Sequence, residues 1–409
     1  MCLKFSEGNC IEEGDLPLAH FNKLAPSLKH TDFLVLNGIG EPLLHPDLDE
    51  MIATARAVMP ANGRIGFQSN GLLINQARAL RLIEAGIDTI CLSLDSLVGD
   101  EAKDHNQDGH QVSAVTKAIA NLLQAREVVH RHVRIGLEVV LHKETLHQLQ
   151  GLVAWADEHH VDFIIASHLF SYDGSQSDQS LFNPNSYEAT RLFAKWAAAA
   201  QVQGVNLADL PAAQLKFSKS PAEQLLVQLG NAMRQEAKEK DITLHFSNLV
   251  AEGGSDMGEV ETYFHKAQWL ARKRDIDLFL PPLYAQVNGQ RACPFINDGA
   301  VFIDKNGKVM PCPFLWHTCP SRGNHSAIRI QKRVFGSIEE ASLEAIWQKA
   351  EYAAFRGEAG HNEYAPCWSC TSGPCADLIN TNLLDMHDCY GSHVPCGHCM
   401  WSIGWLKCL

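Results

Sequence analysis

The chain has 409 residues, 46% of them hydrophobic and 20% charged, and a formal net charge of −13 at pH 7. That length gives two or three domains with sizeable cores, and the acidic balance argues against a nucleic-acid surface or an anionic membrane partner. No apolar run approaches a membrane span, and the opening residues Met1 to Gly8 lack the apolar centre of a secretory signal, so a cytoplasmic protein is the expectation.

In chain order, residues 17–28 read as a short helix. Residues 33–36 are apolar on both sides, as a strand buried on two faces would be. Gly38 and Gly40 come next, where a backbone turns or approaches a ligand. Glu41 stands before Pro42, which biases it towards extended geometry. An amphipathic helix is expected over 49–58 and a strand over 64–68, ending in the turn Ser69-Asn70-Gly71. A helix over 75–85 closes at Gly86, and a strand over 89–94 ends in Asp95-Ser96. Next come a helix over 112–129, a strand over 133–141, a helix over 145–159 and a strand over 162–167. Strand and helix thus alternate five times, which predicts parallel strands with helical crossovers. Polar groups stand at the carboxyl ends of these strands: Asn37 to Glu41, Ser69 to Gly71, Ser93 to Ser96, His142, and Ser167-His168. A barrel-type enzyme builds its site there, although polar loops come after strands in every α/β protein.

Residues 171–290 read as a mainly helical bridge. Helices are expected over 184–201, 221–240 and 259–274, with a short strand over 242–246. The remaining residues differ in kind. Of 13 cysteines, ten lie between Cys293 and Cys408. In a reducing compartment so dense a set binds metal rather than forming disulfides. Asn306-Gly307 between alternating apolar runs is a hairpin signal, and the turn brings Cys312 back towards Cys293. A helix over 343–355 separates this hairpin from Cys367, Cys370 and Cys375, and then come Cys389, Cys396, Cys399 and Cys408.

Soft thiolates at two-residue spacing select zinc or iron–sulfur clusters. A zinc ribbon of Cys367/Cys370 with Cys396/Cys399 fits a tetrahedral site. It leaves Cys293, Cys312, Cys375, Cys389 and Cys408 unexplained, whereas one or two four-iron clusters use most of them. Cys91 lies in an expected buried strand and reads as core. Neither a His-Glu-x-x-His nor a Gly-x-Ser-x-Gly motif is present, so a hydrolase has little support.

Taken together, these residues resemble the radical S-adenosylmethionine (radical SAM) enzymes that carry a C-terminal SPASM-type domain. The resemblance covers about residues 30–170 and 290–409. Gly38-Ile39-Gly40-Glu41-Pro42-Leu43-Leu44-His45-Pro46-Asp47 is similar to the family's Gly-Gly-Glu-Pro segment, with Ile39 inserted in the glycine pair. Ser69-Asn70-Gly71 is similar to its Thr-Asn-Gly turn, and Ser93-Leu94-Asp95-Ser96 to its Ser-Leu-Asp strand end. Gly307 before Cys312, the run from Gly336 to Trp347, and Asp388-Cys389 with Cys396 to Cys408 are similar to the second domain.

The resemblance implies an α/β fold: a partial (β/α)6 TIM-like barrel, here without its first strand, then a helical bridge and a small cysteine-rich α+β domain. The expected divisions are 1–170, 171–290 and 291–409. It implies [4Fe–4S] clusters and SAM as cofactors, and a 5′-deoxyadenosyl radical that abstracts hydrogen from a peptide, a protein side chain or a small molecule. An electron donor such as flavodoxin or ferredoxin is implied as a partner. Gly38 lies in the glycine pair, Gly40 and Glu41 would help hold the SAM amino group, and Asn70, Ser93 and Asp95 would lie near its carboxylate and ribose. The strand around 137–141 would flank the adenine. The family's Cys-x-x-x-Cys-x-x-Cys cluster loop is not in this sequence. Met1-Cys2 is similar to its end, so Cys2 is expected to be its third ligand, with two cysteines and the first barrel strand lying upstream. As written, the chain is not expected to hold the catalytic cluster in the usual way. At least one auxiliary cluster is expected, with Cys293 and Cys312 on one and Cys367, Cys370 and Cys375 on one. Cys389, Cys396, Cys399 and Cys408 complete the candidate ligands. The alternative is a non-enzymatic iron–sulfur or zinc relative that carries electrons or binds a partner.

Overall fold

The computed structural model describes residues 11–97, 108–170, 176–252, 257–285, 293–323, 326–361, 395–407 and 409. Of the candidate ligands, Cys2, Cys367, Cys370, Cys375, Cys389 and Cys408 lie outside these residues.

Two short helices, α1 (Leu18–Asn22) and α2 (Ala25–Leu28), lead into strand β1 (Phe33–Val35). Next in order are α3 (Leu48–Val58), β2 (Arg64–Ser69), α4 (Gln76–Ala85), β3 (Thr89–Ser93), α5 (Asp108–Val129), β4 (Arg134–Leu141), α6 (Leu149–Glu158) and β5 (Phe163–His168). The chain then runs through α7 (Tyr187–Val202), α8 (Leu210–Leu215), α9 (Pro221–Glu239), α10 (Phe246–Glu252) and α11 (Met257–Lys273) before β6 (Asp277–Phe279). The six strands form one parallel sheet in the order β1-β2-β3-β4-β5-β6. The expected α/β alternation is present, and β6 adds a strand that sequence pattern alone did not predict.

Side chains alternate along each strand. Ile65, Phe67, Ile90, Leu92, Ile135, Leu137, Val139, Ile164 and Ala166 join one core with the apolar faces of α3 to α6 and α11. The other, inner face carries Phe33, Gly66, Gln68, Cys91, Gly136, Glu138, Phe163, Ile165 and Ser167. The Phe163 ring lies over Gly136, where a β-carbon would stand 2.1 Å from Cζ.

Ionic ties secure the amino ends of the strands. Asp88 accepts from Ile65 N at 2.8 Å and from Arg131 Nη2 at 2.7 Å, and it also pairs with Arg56 Nη2. Arg134 reaches Asp277 at 2.6 Å, linking β4 to β6 across β5. Gly86 ends α4 with φ 106°, the left-handed geometry that a glycine C-cap supplies.

A second core, built by α7 to α10, includes Phe193, Leu207, Leu210, Leu226 and Met233. The strand expected over 242–246 is absent: residues 242–245 have no regular structure and Phe246 opens α10. Among the described residues no neighbouring strand pairs with it, and Ile242, Leu244 and Phe246 instead pack on the helical core.

After α12 (Pro294–Asn297), strands β7 (Phe302–Ile303) and β8 (Lys308–Met310) form the expected hairpin, pairing Phe302 with Met310. Gly307 turns it at φ 70°, and Asp304 Oδ1 accepts from Asn306 N and Lys308 N, both at 2.9 Å. A further hairpin, β9 (Cys319–Gly323) with β10 (Ser326–Ile330), comes after it, and then β11 (Gly336–Ser337), which pairs with β8. The single helix expected over 343–355 is two, α13 (Leu343–Trp347) and α14 (Ala350–Gly360). They break at Lys349, whose extended ψ of 137° interrupts the ladder while its Nζ bonds Phe335 O at 2.8 Å. Val309, Cys312, Phe314, Tyr352, Met400 and Trp405 share the first core with the sheet's helices.

Candidate functional site

The carboxyl ends of β1 and β2 are tied by Glu41. One carboxylate oxygen accepts from Ser69 Oγ at 2.7 Å and Leu43 N at 3.1 Å, the other from Asn70 N at 2.9 Å. A carboxylate has about four acceptor positions, so one remains for a ligand. Gly40 adopts φ 157°, with no atom within 4 Å of where a β-carbon would be. Asn70 Oδ1 accepts from Leu72 N at 3.0 Å, which closes the turn. Asp95 Oδ1 accepts from Val140 N at 3.0 Å, and Gln111 Nε2 donates to Ser93 O at 3.0 Å. The residues singled out by sequence motif therefore all lie at one end of the sheet, each built into its strand-to-loop turn.

Beside them, the inner face carries a polar layer that no motif pointed to. Asn37 Nδ2 donates to Gln68 Oε1 at 2.7 Å, and Gln68 N donates to Asn37 Oδ1 at 2.8 Å. Gln68, whose Nε2 is buried without a hydrogen-bond partner, also acts on Glu138, which stands opposite Ser93 in the β3–β4 register. Burial, and then the charge of Asp95, push the Glu138 carboxyl up to about 7 against the Gln68 amide, which favours ionisation. The only sequence signal was one carboxylate at an inward position of an otherwise apolar alternation.

The second half of the site is made of thiols. Cys293, Cys312, Cys396 and Cys399 are buried and form no disulfide. Burial raises the pKa of all four. Their neighbours' charges add to it: Cys399 and Cys293 act on Cys312, all three others act on Cys396, and Cys293 acts on Cys399. Cys399 reaches about 12, with hydrogen bonds at Ser402 opposing the rise. Among the described residues, no three His, Cys, Asp or Glu side chains form a group that could hold a single metal ion. Several buried thiols that repel one another as anions form a soft donor set whose ionisation needs a cationic centre. An iron–sulfur cluster fits that chemistry, since its thiolates sit on separate irons. Sequence spacing grouped Cys293 with Cys312; the structure brings Cys396 and Cys399 to them from the far end of the chain.

A cleft of about 2140 Å³ joins the two halves. Asn37, Gly38 and Gln68 line its sheet side, and Cys312, Trp316 and Trp401 its other wall. Across the top of β5 the chain's last residues return to the sheet. His168 N donates to Trp405 O at 3.1 Å, and Trp405 stacks on Phe182 with centroids 4.8 Å apart. Burial lowers the His168 pKa to about 4. The ring is therefore neutral at pH 7, and its Nε2–H donates to Pro282 O at 2.7 Å.

Two family models match the chain. Residues 28–156 match the radical SAM superfamily, and residues 293–371 match SPASM, an iron–sulfur cluster-binding domain. The chain thus carries a radical SAM domain and, after the sheet, a SPASM domain, and these domains imply [4Fe–4S] clusters and SAM as cofactors. Among curated relatives, the tungsten-containing aldehyde ferredoxin oxidoreductase cofactor-modifying protein of Pyrococcus furiosus is 24% identical over 396 residues, which is 96% of this chain and 88% of that protein. The pre-heme d1 synthase of Dinoroseobacter shibae is 28% identical over 136 residues, 33% of this chain and 31% of the synthase. Among solved structures, Streptococcus suis SuiB bound to S-adenosylmethionine is 12% identical with a TM-score of 0.44, covering 85% of this chain and 62% of SuiB. Native anSMEcpe with bound AdoMet is 14% identical with a TM-score of 0.45, covering 88% of this chain and 78% of that one. No described helix is long and apolar enough to cross a membrane.

Proposed function

We propose that this chain supplies the SAM-binding sheet and the auxiliary-cluster domain of a radical SAM reaction, in which a 5′-deoxyadenosyl radical abstracts hydrogen from a peptide, a protein side chain or a small molecule, the cleavage of SAM itself requiring the family's Cys-x-x-x-Cys-x-x-Cys loop. The observation that carries the reading is the facing of two half-sites across one cleft. Asn37, Gly38 and Gln68 at the strand ends line one side, and on the other lies Cys312, one of the four buried thiols. The relative that spans 96% of this chain is named for modifying another enzyme's cofactor, which favours a small molecule within that range.

Each residue then has a physical role. Glu41 keeps one acceptor position for the SAM ammonium, while its other bonds hold β1 and β2 in register. Gly38 and Gly40 keep the backbone open to ligand approach. Asn70, Ser93 and Asp95 stand where a carboxylate and ribose hydroxyls would be met. Cys293, Cys312, Cys396 and Cys399 would hold an auxiliary cluster, with Cys2, Cys367, Cys370, Cys375, Cys389 and Cys408 as candidate ligands outside the described residues. A [4Fe–4S] cluster held by the family's cluster loop and reduced by a flavodoxin- or ferredoxin-like protein would supply the electron for cleaving SAM.

The test uses protein purified without oxygen. Iron and acid-labile sulfide are assayed first, and SAM and dithionite are then added. Iron and sulfide are the expected result for this chain, and slow release of 5′-deoxyadenosine is expected once a Cys-x-x-x-Cys-x-x-Cys loop ending at Cys2 is supplied. Zinc in place of iron, or no deoxyadenosine from the loop-bearing protein, refutes the reading.

A further inference from the structure

Helix α14 carries a hydroxyl group whose proton has no acceptor. Tyr352 is 0% exposed, and its ring stacks on Phe335 with centroids 4.2 Å apart and planes at 3°. Its phenolic oxygen is buried without a hydrogen-bond partner among the described residues. A buried donor left unpaired costs free energy, and folded proteins leave few of them.

The surroundings of that hydroxyl are the thiols. Tyr352, Phe355 and Ala359 are the buried residues of α14, and they share one core with Cys312, Cys396 and Cys399. At the end of the helix, a β-carbon on Gly360 would stand 3.4 Å from Ile296 of α12, the helix whose N-cap is Cys293. Helix α14 thus packs along elements that bear the thiols. Burial pushes the pKa of the Tyr352 hydroxyl up, Arg356 opposes the rise, and the charge of Cys312 adds to it. The hydroxyl therefore keeps its proton at pH 7, close enough to Cys312 to feel its charge.

Arg356, one turn further along α14, lies over the same ring. Its guanidinium carbon is 4.5 Å from the Tyr352 centroid and 3.8 Å from that of Trp347. Its Nη1 is likewise buried without a hydrogen-bond partner. A cation so placed favours the phenolate, which makes the neutral O–H a stronger donor.

We propose that Tyr352 donates a hydrogen bond to cluster sulfur at Cys312, that Arg356 strengthens this bond through the phenol ring, and that the two raise the cluster's reduction potential. The inference rests on the auxiliary cluster proposed above. Reduction makes cluster sulfur more negative, and hydrogen bonds to sulfur favour that state. The proton stays on the Tyr352 oxygen throughout; only the strength of its hydrogen bond changes. Two carboxylates act on the thiols in the opposite sense, Asp298 on Cys293 and Glu358 on Cys396.

The test compares wild-type protein with Tyr352→Phe, Arg356→Gln and the double variant, all purified without oxygen. Iron and sulfide are assayed, and each protein is then titrated with dithionite against mediator dyes while electron paramagnetic resonance follows the reduced cluster. Tyr352→Phe removes one oxygen and keeps the ring stack, so it decides the matter even if Arg356→Gln fails to fold. It is expected to keep its iron and to make reduction about tenfold less favourable, equivalent to about 59 mV for a one-electron step. Arg356→Gln is expected to lower the potential by less, and the double variant to match Tyr352→Phe, because Arg356 acts through the tyrosine. An unchanged potential in iron-loaded Tyr352→Phe overturns the proposal, since a purely structural role would alter unfolding but not the potential. A further fall in the double variant overturns the relay through Tyr352. Wild-type protein with zinc or without iron refutes the cluster reading, and this inference falls with it.

Discussion

Substitution of Glu138 by Gln is expected to change how stability depends on pH. In the folded chain the carboxyl is raised from 4.5 to about 7, first by burial and then by the charge of Asp95. Between those two values the folded protein keeps a proton that the unfolded chain releases. Stability therefore falls as pH rises through this window and levels off above about 7. At 1.36 kcal/mol for each pKa unit, the full effect is about 3 kcal/mol. Gln cannot ionise, so Glu138→Gln loses this term and becomes the more stable protein at alkaline pH. Urea unfolding of both proteins at about pH 5 and about pH 8 measures it. The wild type should lose about 2.5 kcal/mol more than the variant between the two conditions, since part of the window already lies below about pH 5. Parallel losses in both proteins would mean that Glu138 is already ionised in the fold, and the account of the inner polar layer would fail.

Other outcomes rest on single contacts. Asp88→Ala leaves Arg56 and Arg131 without their carboxylate and Ile65 N without its acceptor. Side chains 22% exposed keep some screening, so a loss of about 2 kcal/mol is expected by urea or thermal unfolding. Gly136→Ala places a methyl against the Phe163 ring and should destabilise by about 2 kcal/mol. The double variant with Phe163→Leu should recover part of that loss, and no recovery would place the strain elsewhere. Cys312→Ala should lower iron per chain in protein purified without oxygen. Cys91→Ala, on the sheet, should leave iron content unchanged by the same colorimetric assay.

Where local pattern decided structure, the sequence was legible. Strands β2 to β5 show as apolar runs because their helix-facing side is fully buried, and α4 shows its own stop in Gly86. Strand β6 did not show, because Asp277-Leu278-Phe279 is three residues long and is held by pairing with β5 and by Arg134. The hairpin of β9 and β10 was hidden by a polar stretch rich in Ser, Arg and Gly that reads as loop. Ile242 to Phe246 had strand composition but no strand to pair with, so helix packing prevailed. At the site, residues within one turn, such as Glu41 and Asn70, were readable from local motif. Gln68 and Glu138 meet only when separate strands align, and Cys396 approaches Cys293 only through the tertiary fold.

The two strands that flank the longest excursion of the chain are neighbours: β5 ends at His168, β6 starts at Asp277, and the two run parallel side by side. Part of the excursion, α7 to α10, closes on a hydrophobic interior of its own. Such a layout makes that part a cassette: it leaves from one strand and comes back beside it, so its length and composition can drift without rewiring the sheet. Change in that part can then be accommodated there, while the strand-end rim around Glu41 and Asn70 keeps its shape.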